Sequence, residues 1–292
     1  MSVKPIVAAT DGSEHSLQAV EWAAKEAVLR GAGLRIVAAA EMPPRMAAAG
    51  SSGSSLGGVA DVLTRTRDQG LQAAAARAAA AGPGLLIDTD VLEAAPAQAV
   101  TDSGSGALML VIGSRGAGAF TALVFGSVSR YAASHAPCPV VVVRDVPPSP
   151  HQHVGVGLGD VDRSAGTLTF AFEEAALRNA SLTIMHAWEM PPVDISRAGE
   201  SFTGPSAHHV EEETGKRLGA FLESWRSKYP DVTVTQDVVH GHPARALVGL
   251  SARADLVVIG RHTAHPDRPG PGAVRHAVLN HAHGPVVVVP SA

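Results

Sequence analysis

The residues best suited to hold a charged ligand lie in one run, ALMLVIGSRGAGAFTALVFGSVSRYAASHAPCPVVVVR, residues 107–144. A glycine-rich loop, Gly113-Ser114-Arg115-Gly116-Ala117-Gly118, follows the short apolar run Leu108 to Ile112. After a spacer, Gly126 and Ser127 open a helix-like segment that runs to about His135, and residues 139–143 read as a second β-branched strand. Strand, glycine loop, helix start, helix and strand make the layout of a phosphate-binding α/β unit. Loop glycines let backbone N–H groups approach an anion, and the helix N-terminus adds the positive end of its dipole. Ser127 adds a hydroxyl donor. Arg115 either adds a charge-assisted contact or points into water.

Other chemistries fit less well. No Lys follows the last loop glycine, which excludes a Walker A loop. The glycines are spaced by two and then nine residues after a fourth strand, not as G-x-G-x-x-G after a first one. Histidine is frequent, at 14 residues, and clusters late, with His262-x2-His265 and His281-x-His283. That spacing matches no strong metal motif and no cysteine supports it, so these read as surface or helix-end histidines. Cys138 precedes a buried strand and reads as core. Asp11 with Ser13 reads as a turn and helix cap rather than a catalytic pair. There is no nucleophile elbow and no H-E-x-x-H.

The bulk of the chain narrows the partners. It is 46% hydrophobic and 17% charged, a globular balance. Its formal net charge of −4 gives no electrostatic footprint for nucleic acid or an anionic membrane. No apolar run reaches bilayer-spanning length, the N-terminal stretch lacks a signal-peptide core, and the single cysteine suits a reducing compartment. A cytoplasmic location is the expectation.

The elements that must position the loop follow in order. Residues 3–10 form a strand, Asp11-Gly12-Ser13 turns the chain, and 16–30 form a helix ended by Gly31 and Gly33. A strand over 34–40, a loop over 41–58, a helix over 59–81, a strand over 85–92 and a short helix from Pro96 lead into the central run. The order then repeats. EAVLRGAGLRIVAAAEMPP (26–44) aligns without gaps to EAALRNASLTIMHAWEMPP (174–192), and PVVVV recurs at 139–143 and 285–289. This is a duplication with domains at 1–147 and 151–292. Alternating strands and helices argue for a doubly wound, mostly parallel sheet in each half. Ligands in such sheets sit beyond the carboxyl ends of the strands, where Asp11, Ala39, Ala40 and Gly113 fall.

The pattern Gly113-x2-Gly116-x9-Gly126-Ser127, with the opening VAATDGSEHS and the closing HAPCPVVVVR, resembles the universal stress protein family. The chain looks like two such domains in tandem. The resemblance implies two Rossmann-like α/β/α domains, each with a five-stranded, mostly parallel sheet flanked by helices, that bind ATP with Mg2+. It implies that Asp11 faces the adenosine end and that the backbone of Ala39 and Ala40 lines the adenine. Gly113, Ser114, Arg115, Gly116 and Gly118 would wrap ribose and phosphates, and Gly126, Ser127, Val128 and Ser129 would hold the terminal phosphates.

The second half departs from this pattern. Thr263 stands where the second motif glycine belongs, the following loop is proline-rich, and Gly272-Ala273 lacks the hydroxyl. Proline removes N–H donors from a phosphate cradle, so the C-terminal site is expected to be weak or empty. Related proteins pair through their last strands. The two halves are therefore expected to pair with each other, Val140–Val143 beside Val286–Val289, with further homodimerisation open. The expected function is an ATP-binding stress protein with little or no catalysis. A slow ATPase of the same superfamily and a ligand-free dimerisation module are the alternatives.

Overall fold

A computed structural model describes residues 4–39, 55–116, 125–147, 149–160, 163–189, 207–261 and 272–291, with backbone alone at 55–60 and 207. The expected loop over 41–58 therefore lies mostly outside the described residues, as do Ala40, Gly118, His262, Thr263 and His265. The chain divides into two compact units. Unit 1 comprises residues 1–146 and 285–290; unit 2 comprises 147–284 and 291–292. Each half of the sequence supplies five strands.

In unit 1 the chain runs β1 (Ile6–Ala9), α1 (Glu14–Arg30), β2 (Leu34–Ala39), α2 (Ser55–Ala81), β3 (Ile87–Leu92), α3 (Pro96–Asp102), β4 (Met109–Gly113), α4 (Ser127–His135) and β5 (Val140–Val143). Strand β10 (Val286–Pro290) joins the same unit. Strands β3, β2, β1, β4 and β5 lie side by side in that order, all parallel. Strand β10 closes the edge antiparallel to β5, with Val286, Val287 and Val288 opposite Val142, Val141 and Val140. The expected pairing of the two valine runs is thus present, and it covers a β5 edge that would otherwise offer unpaired backbone groups.

Local chemistry sets these boundaries. Proline has no N–H for a ladder, and β1 starts only after Pro5. Ser13 caps α1 by accepting from the Ser16 N–H at 3.4 Å, so the helix begins two residues before the expected start. Gly31 ends it in the left-handed conformation, its N–H directed to the Ala27 and Val28 carbonyls. Ala19, Val20, Ala23, Ala24 and Ala27 turn one face of α1 into the core. Glu26 is buried on that helix and accepts from the Arg30 Nε at 2.5 Å, one turn away. Every residue of β4 is buried, as a strand covered on both faces must be.

Unit 2 repeats the scheme with β6 (His153–Gly157), α5 (Ala165–Arg178), β7 (Ser181–Trp188), α6 (Ala207–Lys228), β8 (Val234–His240), α7 (Pro243–Ser251), β9 (Leu256–Arg261) and α8 (Ala273–His281). Strands β9, β6, β7 and β8 lie in that order, all parallel. The duplication extends to the caps: Asn179 ends α5 in the left-handed conformation, where Gly31 ends α1. Buried Glu174 pairs with Arg178 as Glu26 does with Arg30. No helix among the described residues is long and apolar enough to cross a membrane.

Candidate functional site

A cavity of about 590 Å³ opens at the carboxyl ends of β1, β2 and β4 in unit 1. That volume is ample for a nucleotide-sized ligand, since small-molecule sites span roughly 300–1,000 Å³. Ala9 and Asp11 reach it from the end of β1, Ala39 from the end of β2, and Pro96 and Val100 from α3. Gly113, Arg115 and Gly116 border it after β4, and Gly126 to Arg130 form its wall at the start of α4. Nine of the residues expected from sequence therefore share one cavity: Asp11, Ala39, Gly113, Arg115, Gly116, Gly126, Ser127, Val128 and Ser129.

Ser114 is placed differently. It is fully buried and not on the cavity wall. Its N–H donates to the Val143 carbonyl at 2.8 Å, and its carbonyl accepts from the Gly126 N–H at 3.0 Å. These bonds fix the loop against β5 and against the start of α4, so Ser114 holds the scaffold rather than offering its N–H to a ligand. Its hydroxyl has no hydrogen-bond partner among the described residues. Ser129 is also a strut: its hydroxyl donates to the Gly113 carbonyl at 2.7 Å. Ser127, at the first position of α4, remains exposed toward solvent and the cavity.

The Asp11 turn is held by a network. Thr10 Oγ1 and Ser16 Oγ lie 3.0 Å apart; the Gly12 N–H donates to Thr10 Oγ1 and the Asp11 N–H to Ser16 Oγ. One Asp11 carboxylate oxygen accepts from both the N–H and the hydroxyl of Ser13, at 3.0 and 2.6 Å. Each such bond contributes on the order of 1 kcal/mol, enough together to hold a turn.

The glycines have two distinct reasons to be glycine. A Cβ at Gly113 would fall 2.8 Å from the His15 carbonyl oxygen, so α1 approaches β4 there only because no side chain intervenes. A Cβ at Gly116 would fall 2.5 Å from Asp11 Oδ2. At Gly126, by contrast, φ is −61° and a Cβ would meet its nearest neighbour at 3.5 Å, an ordinary contact. Backbone packing demands glycine at 113; at 116 the crowding atom is the tip of the exposed Asp11 side chain, and at 126 no neighbour demands it.

The cavity is electropositive at one end. Arg115 and Arg130 line it, and the first turn of α4 carries no acid. The Arg115 Nε is buried with no hydrogen-bond partner among the described residues. Arg144, just past β5, has its guanidinium pKa lowered, first by burial and then by the nearby Arg115 charge. Crowded guanidiniums beside a helix N-terminus favour an anion. Asp11 is the one carboxylate on the wall among the described residues.

Arg130, Phe125 and Val100 were not singled out from sequence. Arg130 lies four residues after Gly126, one helical turn, so periodicity places it above the start of α4. Phe125 is 1% exposed and precedes Gly126, where it forms an apolar wall. A second cavity of about 300 Å³ lies beside α1 and α2; of its four charged residues, Glu21 pairs with both Lys25 and Arg77, and Asp145 is the fourth.

The corresponding place in unit 2 is built otherwise. Helix α8 starts from Gly272 with φ of 93°, whereas Gly126 is extended. Arg275 stands where unit 1 has Ser129, and its Nη2 lies 2.8 Å from where a Gly272 Cβ would sit. Burial and then Arg261 lower its guanidinium pKa. At the end of β7, Trp188 stacks at a tilt on His240, with ring centroids 4.6 Å apart, in the position that repeats Ala40.

The universal stress protein family model matches residues 2–144 and again 150–290. Universal stress protein MT2052 of Mycobacterium tuberculosis (strain CDC 1551 / Oshkosh) is 33% identical, over 97% of this chain and 94% of that one. Universal stress protein Rv2623 of Mycobacterium tuberculosis (strain ATCC 25618 / H37Rv) is 32% identical, over 97% and 95%. A universal stress protein crystal structure from Archaeoglobus fulgidus DSM 4304 covers 98% of both chains with a TM-score of 0.67 at 18% identity, a likeness of fold.

Proposed function

The chain belongs to the universal stress protein family, and from that premise we propose that its first domain, residues 1–147, binds ATP with Mg2+ in the cavity at the ends of β1, β2 and β4. The observation that carries the reading is the shared wall: the motif glycines, Ser127 at a helix start, and two arginines border one nucleotide-sized cavity. The adenine end lies at Ala9, Ala39 and Val100, and the phosphates lie at Gly126, Ser127 and the α4 N-terminus. In this reading Mg2+ enters with the nucleotide, on the phosphate oxygens.

In this reading ATP acts as a ligand that stabilises one conformation, not as a rapidly consumed substrate. Asp11, the carboxylate on the wall, is tied to Ser13 through one of its oxygens. The second domain, residues 151–292, serves as a scaffold with a weak or empty site, and the protein works in the cytoplasm. Titration of the purified chain with ATP and magnesium tests the reading. Saturable binding that is abolished in Gly126→Trp, with the fold retained, supports it. Binding that survives that substitution contradicts it.

A further inference from the structure

The positive end of the cavity combines two arginines with a helix N-terminus. Helix α4 directs its first N–H groups there, and Arg115 and Arg130 border the same wall. Arg130 occupies the first turns of α4, where a cation opposes the helix dipole, and no acid in the first turn offsets it. Its guanidinium reaches back toward the Phe125 carbonyl at 3.4 Å, a long contact one residue before Gly126. The side chain thus stands beside the phosphate cradle. A bound polyanion would satisfy both the guanidinium and the helix start.

We propose that Arg130 is a specificity-determining residue: with Arg115 it makes this cavity selective for adenine nucleotides carrying a di- or triphosphate tail over nucleoside monophosphates. The inference rests on the nucleotide reading above. A monophosphate is matched by the α4 N-terminus alone, and the outer phosphates are what the Arg130 guanidinium adds contacts to. Arginine suits this role because its planar donors engage two phosphate oxygens at once.

The test compares ATP, ADP and AMP on the full chain by calorimetric titration, for the unaltered protein, Arg130→Ala and Arg130→Lys. Arg130 is exposed, and thermal melting confirms that each variant is folded. In the unaltered protein, ATP should bind at least about tenfold more tightly than AMP, and Arg130→Ala should cost ATP about tenfold while changing AMP by less than about twofold. Arg130→Lys should recover part of the ATP affinity, because it keeps the charge and loses the fork. Equal losses for ATP and AMP, or an ATP-to-AMP ratio unchanged by Arg130→Ala, would overturn the proposal and leave nucleotide binding intact. Absence of binding by all three nucleotides in the unaltered protein would overturn both.

Discussion

Asp11 and Gly116 are packed so closely that a Cβ on Gly116 would fall 2.5 Å from Asp11 Oδ2. The other carboxylate oxygen is already held by Ser13. The β1 turn and the loop after β4 therefore meet through an acid against a bare backbone. A side chain at the second motif glycine would have to displace the Asp11 carboxylate at the rim of the cavity.

Gly116→Ala is accordingly expected to push the Asp11 carboxylate off Ser13 and to weaken ATP binding. Asp11 is exposed, so stability should change by less than about 1 kcal/mol. Titration with ATP and a urea melt on the same variant separate the two effects. An unchanged affinity would show that Asp11 and this rim do not shape the site.

Gly113→Ala should act on stability. Its new methyl would meet backbone atoms, the His15 carbonyl oxygen at 2.8 Å and the Ser16 nitrogen at 3.1 Å, which cannot swing aside. A loss of about 1–3 kcal/mol is expected, as for other overpacked sites. Gly126→Ala is the control, with its nearest neighbour at 3.5 Å, and should unfold within about 0.5 kcal/mol of the unaltered protein. Equal destabilisation of the two would contradict the close approach of α1 and β4.

The turn is also constrained from its other side. Gly12 has φ of 79°, and a Cβ placed on it would fall 3.3 Å from the Cα of Gly70 in α2. Gly12→Ala combines left-handed strain with that crowding and should destabilise unit 1 by about 1–2 kcal/mol. A neutral result in denaturant melts would mean that α2 yields freely at this crossing.

His153 gives unit 2 a pH dependence. Burial lowers its pKa below 6.5, assisted by Arg253 and His151 and opposed by Asp255. The unfolded chain then binds the proton more readily than the folded one. Stability is therefore full above pH 6.5 and falls as the pH drops from there toward the lower folded value. His153→Asn should flatten the fall in stability below about pH 6.5. An identical pH profile in the variant would refute the assignment.

Much of this architecture was legible in the chain. Caps such as Ser13 and Gly31, the alternation of strands and helices, and the EAVLR…EMPP repeat follow from local rules, and the glycine spacing located the cavity. What was hidden depends on three dimensions. Ser114 sits in the motif yet spends its N–H on Val143, a residue far along the sequence. Arg130 looked like any helix-surface arginine until α4 placed it on the cavity wall. Strand β10 belongs by contact to unit 1, which no local pattern specifies, although the matching valine runs pointed to its partner.

The most direct test is to release the nucleotide from the protein with acid, after saturation with ATP and magnesium and removal of the excess, and count it per chain. About one adenine nucleotide per chain is the predicted result, held in the first domain. Two per chain would contradict the assignment of an eroded second site, and none would contradict the central claim that this cavity binds ATP.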